Sequence, residues 1–169
     1  MSDVEKAEGF LCVQCGKWHE ELLSDMGFQL PDVVWGMDYL EKYKRASYNK
    51  DFCTLDGSRY FIRGLLCVPL EYKDGYFGWG LWVEVNKASH DLYLKHYHEG
   101  SDAIPAFEGR IANNIKGYPE LLGELVLVKL YDEHRPFFEM TSTSDHSLAH
   151  EQRNHISLAR HHEIAEMFT

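Results

Sequence analysis

Residues 59–86, RYFIRGLLCVPLEYKDGYFGWGLWVEVN, constrain the fold more than any other stretch. They read as a long β-hairpin. Asp74-Gly75 is a two-residue type I′ turn signal, because both central positions of that turn need positive φ. With this pair as the loop, Lys73 stands opposite Tyr76 and Tyr72 opposite Phe77. Leu70 then faces Trp79, Val68 faces Leu81, Leu66 faces Val83 and Gly64 faces Val85. Each large apolar residue on this face meets another, as cross-strand pairing requires. A slip of one residue would set Leu70 against Gly78 or Gly80 and scatter the face.

The other face carries Phe61, Arg63, Leu65, Cys67 and Pro69 against Trp82, Glu84 and Asn86. A covered face with Arg63 paired to Glu84 or Asn86 is one reading. An open ligand face anchored by Arg63 and Trp82 is the other. Apolar residues on both faces favour the covered reading.

Length and composition set the frame around this hairpin. With 169 residues, 44% of them hydrophobic and 14% aromatic, the chain can fill one core. The expectation is a flexible tail over 1–9 and a single α+β domain over 10–169. No apolar run approaches the roughly 20 residues that span a bilayer. The opening MSDVEKAEG lacks the features of a secretory signal, so the expected compartment is the cytoplasm, where thiols stay reduced. A formal charge of −10 and a pI near 5.4 disfavour nucleic acid, whose phosphates such a surface repels. The same charge suits a basic protein partner, although ordinary acidity requires none.

In FLCVQCGKWHEELL, Cys12 and Cys15 have the C-x-x-C spacing, with Gly16 to turn the backbone and His19 close behind. Two thiolates so spaced can bite one tetrahedral zinc. His19 is the candidate third ligand, and Cys53 completes the set more readily than Cys67. The bland alternative is a pair of small buried thiols.

Asp38 opens a helix in capping-box form with Glu41, running to about Ala46. Leu40 and Tyr43 are expected inward, and Lys42, Lys44 and Arg45 outward. Asp51 to Leu55 reads as a strand, turned at Asp56-Gly57. After Asn86 a second helix is expected, capped by Ser89 and ended by Gly100, with Leu92, Leu94 and Tyr97 toward the core. Glu124–Tyr131 and Arg135–Thr141 read as a second hairpin that joins the first in one antiparallel sheet. Ser157 caps a final helix whose stripe is Leu158, Ile164, Ala165 and Phe168, with His161 and His162 at its edge. Asp145-His146 is a candidate carboxylate–histidine pair. His150 and His155 lie five apart and lack zincin spacing. No nucleophile elbow, phosphate-cradling loop or dinucleotide fingerprint occurs.

Taken in order, FLCVQCGKWH, DFCTLDGSRYFIRGLLCVPL, FGWGLWVEV, GYPELLGELVL, HRPFFEM and DHSLAHEQRNHIS resemble the bacterial domain-of-unknown-function family 2199. The resemblance implies that Cys12, Cys15, His19 and Cys53 match family positions. It implies the same for Arg63, Trp82, Arg135, Asp145, His146 and Gln152. Ser147 stands where that family usually has proline, and His155 where it tends to have glycine. The family name carries no activity.

The fold expected is therefore α+β, an antiparallel sheet of five or six strands with helices packed on it and an N-terminal zinc knuckle. The function expected is a non-enzymatic binding protein, in its sharpest form an acidic immunity protein that blocks a basic bacterial toxin. The rivals are a zinc-stabilised module without chemistry and a small enzyme using Arg63, Trp82, Asp145 and His146.

Overall fold

The computed structural model describes residues 10–11, 18–19 and 22–168, the first four by backbone alone. The elements run β1 (Phe10–Leu11), β2 (Trp18–His19), β3 (Asp25–Gly27), α1 (Asp32–Trp35), α2 (Tyr39–Arg45), β4 (Ala46–Tyr48), β5 (Phe52–Leu55), β6 (Arg59–Pro69), β7 (Tyr76–Val85), α3 (Lys87–Lys95), β8 (Phe107–Ile111), β9 (Leu125–Lys129), β10 (Phe137–Met140), α4 (Ser147–Asn154) and α5 (Leu158–Met167). β1 and β2 pair with each other, antiparallel. The tail over 1–9 and both cysteines of the C-x-x-C segment lie outside the described residues.

The main sheet closes on itself. β6, β7, β8, β9 and β10 form a ring, because β10 returns to β6 beside Leu65. There Leu65 N donates to the Pro136 carbonyl at 2.9 Å. β3 adds to β7, and β5 and then β4 add to β6, for eight strands in all. The open antiparallel sheet of five or six strands is corrected on two counts. The sheet is a closed five-stranded barrel with three strands appended, and the β3–β7 and β10–β6 pairings are parallel. Strand length is the reason. β6 has 11 residues and β7 has 10, so each shares one edge between two partners. β6 takes β5 at its start and β10 at Leu65, while β7 takes β3 over Gly78–Gly80 and β8 at Val83 and Glu84. Gln152 of α4 stitches the closure where β6 and β10 diverge. Its Oε1 accepts from Met140 N at 2.8 Å, and its Nε2 donates to the carbonyls of Phe138 at 3.0 Å and Cys67 at 3.4 Å.

The 59–86 hairpin forms in a different register. Val68 faces Phe77, Leu66 faces Trp79, Gly64 faces Leu81 and Ile62 faces Val83. The pairing is displaced by four residues, an even number, so each side chain keeps its expected face. The cause is the turn. Gly75 has φ 113°, but Asp74 is not in the positive region, so no type I′ turn forms there. Leu70–Gly75 make the connection, closed by Leu70 N donating to Gly75 O at 3.1 Å. Ile156 also engages this end, through Ile156 N to Pro69 O and Glu71 N to Ile156 O, both 2.9 Å. The Asp-Gly pair with positive φ at both positions is Asp56-Gly57, at 55° and 63°, which joins β5 to β6.

Alternation sorts the side chains. Ile62, Leu66, Val68, Phe77, Trp79, Leu81, Val83, Ile111, Val126, Val128, Phe138 and Met140 form the main core, with Leu148, Ala149 and Ile164 from the last two helices. A second cluster lies on the other face: Leu30, Val34, Cys53, Leu55, Phe61, Trp82 and Ala112. The 28–37 segment covers it, so that face is buried over this half, as the covered reading expects. Arg59, not Arg63, binds Glu84, at 2.8 and 2.9 Å.

Three helices depart from expectation. α2 keeps its Asp38 cap, accepting from Glu41 N at 2.8 Å, but it buries no residue. α3 is capped by Asn86 and turns His90 and Tyr93 inward, leaving Leu92 and Leu94 outside. In α5, His161 and His162 are buried rather than at the edge. His161 accepts from the Tyr72 hydroxyl at Nδ1 and donates from Nε2 to the Leu23 carbonyl, each at 2.6 Å, which fixes the neutral tautomer. Among the described residues no helix is long and apolar enough to cross a membrane.

Candidate functional site

Arg63 and Trp82 face each other across β6 and β7. Trp82 is nevertheless fully buried, its Nε1 donating to the Phe28 carbonyl at 3.0 Å. It packs rather than anchors a ligand. His146 caps α4: its Nδ1 accepts from Leu148 N at 3.0 Å, and its Nε2 lies 3.1 Å from the carbonyls of Pro119 and Glu120. Both ring nitrogens are thus engaged by backbone, and no hydrogen bond joins Asp145 to His146 or either to Arg63. The four residues do not converge on one pocket, which is what a shared reaction would require. Cys53 is enclosed in the second cluster, and burial pushes its thiol up to about 11. Cys12 and Cys15 lie outside the described residues, and His19 is described by backbone alone. No group of three or more metal-ligating side chains is present among the described residues.

Arg63 takes part in a different constellation. Its backbone N donates to the carbonyl of Asp51 at 3.0 Å. The Asp51 carboxylate accepts from the Tyr97 hydroxyl at 2.6 Å and from Arg135 Nε at 3.3 Å. Asp51 itself is 7% exposed. The hydrogen bond to Asp51 and then burial raise the Tyr97 hydroxyl above its ordinary value. Burial, and then the charge of Arg135, hold Arg63 below the usual guanidinium value, with Asp51 opposing. Residue type alone singled out Arg63. Asp51 and Tyr97 come from segments 46 positions apart, brought together because β5 pairs with β6 and α3 packs on β6.

The four most exposed large hydrophobic residues among the described ones are on α1 and α2, next to β4. Tyr39 and Tyr43 are each 80% exposed, Leu40 65% and Trp35 59%, and Val33 and Tyr48 are also exposed. α2 extends beyond the sheet margin, held by its Asp38 cap and by Arg45, which binds Asp56 at 2.8 and 2.9 Å and Glu41 at 2.7 Å. Lys42 Nζ stands 5.3 Å over the Trp35 ring. Lys42 and Lys44 lie on α2 and Lys50 just past β4, while the charge of Arg45 is answered by Asp56 and Glu41. Sequence patterning missed this face because Leu40 and Tyr43, three apart, look like a buried stripe. Length does not explain it, because the four-residue α1 buries Val34 and the eight-residue α4 buries Leu148 and Ala149, whereas α2 buries nothing.

No curated protein and no solved structure matches the chain. A family model described as an uncharacterized protein conserved in bacteria, domain of unknown function 2199, matches residues 11–156, most of the sequence, and the chain belongs to that family.

Proposed function

We propose that this protein is a binding module that docks a protein partner onto the aromatic face of α1, α2 and β4. One observation carries the proposal. α2 buries none of its residues, yet presents Tyr39, Leu40 and Tyr43 to solvent beside Trp35 and Tyr48. Exposed contiguous apolar surface of this kind marks interaction sites. Tyrosine and tryptophan are the usual anchors of such interfaces. The lysines around them suit a partner that offers an apolar groove rimmed by carboxylates. β4 is the last strand of the sheet among the described residues, which offers its outer edge to backbone pairing by the same partner.

The formal charge of −10 favours a narrower second reading, an immunity protein that occludes a basic bacterial toxin. Such a toxin would meet the acidic remainder of the surface rather than the face at 33–50. The two readings therefore separate experimentally. A photo-crosslinking residue at Tyr43 in the bacterial host should trap one protein, and the same residue at Glu108 should not. The trapped protein, produced separately, should bind the purified chain. A toxin-blocking role instead predicts adducts at Glu108 and neutralisation of a neighbouring toxin in a growth assay. Binding to vesicles with anionic lipid, lost on Tyr43→Ala, would reassign the face to a membrane surface and end the protein-partner reading.

A further inference from the structure

A second site lies on the outer wall of the barrel, apart from the aromatic face. A cavity of about 730 Å³ is bounded by β3, the outer face of β6 and β7, and Arg135. Its size falls in the range of small-ligand pockets. Gly78 and Gly80 of β7 and Met26 and Gly27 of β3 contribute backbone to it, Leu65 and Tyr76 contribute apolar surface, and Arg63 and Arg135 supply charge. Space for a side chain is tight at two of these places. A Cβ at Gly27 would stand 3.2 Å from Arg63 Nη2, and one at Gly80 would stand 3.1 Å from the Gly27 Cα. The glycines let the Arg63 guanidinium lie along the wall.

The two guanidiniums are poorly matched by the protein itself. Arg63 Nη1 reaches the Lys50 carbonyl only at 3.5 Å, and its Nε is buried with no acceptor among the described residues. Arg135 spends one nitrogen on Asp51 at 3.3 Å. A buried N–H without an acceptor is costly, and a guanidinium offers its five donors in a planar fork that fits an oxyanion. Charge narrows the ligand. Asp51 already answers one arginine, and Asp25 stands on the cavity wall without an ion pair to either. With that carboxylate present the cavity suits a monoanion better than a phosphate dianion.

We infer that this cavity binds a small molecule through one carboxylate held by Arg63 and Arg135, with an apolar body against Leu65 and Tyr76. The probe is benzoate, titrated into the full chain and followed by amide NMR, with inorganic phosphate and chloride at equal ionic strength as separate arms. Benzoate should move the amides of Gly27, Gly78 and Gly80, with a dissociation constant on the order of millimolar for so small a ligand. Arg63→Gln should weaken it at least about tenfold, the loss expected when a charged hydrogen bond is removed. Should Arg63→Gln fail to fold, Arg135→Gln, whose side chain is 38% exposed, gives the same test. Phosphate moving those amides more strongly than benzoate would overturn the carboxylate assignment. Unmoved glycines under all three anions would overturn the site, and equal benzoate binding by a folded variant would do the same.

Discussion

Gly64→Ala tests the barrel closure at its tightest point. A Cβ there would stand 2.5 Å from the Pro136 carbonyl oxygen and 2.6 Å from Phe138 Cζ. Ordinary carbon contacts lie near about 3.5–4.0 Å, so something must move by roughly 1 Å. The carbonyl cannot retreat freely, because it accepts the Leu65 N–H at 2.9 Å and that bond forms the seam between β6 and β10. The Phe138 ring cannot retreat either, being 1% exposed in the main core. Overpacking of this kind costs about 1–3 kcal/mol, and straining the seam hydrogen bond adds about 1 kcal/mol. Removing a glycine from the unfolded chain returns about 0.4–1 kcal/mol. The net is about 2 kcal/mol, which for a chain of this size lowers Tm by roughly 4–8 °C. Gly36→Ala is the control, since its nearest neighbour would be 3.6 Å away and its φ is −74°. Calorimetry of both variants decides the matter. If Gly64→Ala melts with wild type, β10 does not pack against β6 there and the sheet is open.

Other outcomes follow from single contacts. Asp38→Ala removes the α2 cap and should cost about 1 kcal/mol at most, read as faster amide exchange over 39–45 with little change in Tm, because this helix buries nothing. Burial first of all, with Lys73 and His162 adding to it, holds the His161 pKa below 6.5, while its bond to the Leu23 carbonyl opposes. Protonation therefore favours the unfolded chain. The His161 contribution is complete above about pH 6.5 and is lost as pH falls toward the folded value, so the urea midpoint should drop from about pH 7.5 to about pH 5.5, and drop less in His161→Gln. A structural zinc on Cys12, Cys15 and His19 remains a proposal from spacing alone. Metal analysis near one zinc per chain supports it, and less than about one in ten rejects it, since such sites bind tightly.

Sequence carried the local terms of this fold and lost the distant ones. The hairpin at 59–86, its two faces and the helix caps at Asp38 and Ser157 rest on neighbours along the chain, and they are as expected. The hairpin register failed because Ile156, far along the sequence, holds the strand ends and overrides the local preference of Asp74-Gly75. The ring failed for the same reason. Nothing near Leu65 announces that Phe137 will lie beside it in parallel. His146 and Trp82 were picked out as chemistry-bearing residue types, but backbone carbonyls and amides take up their polar atoms. The aromatic face was hidden in a spacing that reads as a buried stripe.

The claim that matters most is that the uncovered tyrosines of α2 form a protein-binding surface. Calorimetric titration of the partner trapped at Tyr43 into Tyr39→Ala/Tyr43→Ala measures it most directly. Each such anchor is worth about 2 kcal/mol or more, so the pair should weaken binding by at least roughly a hundredfold while Tm holds, since neither ring packs in the core. Affinity within a factor of about two of wild type would mean that these tyrosines are ordinary solvent-facing residues and that the partner binds elsewhere.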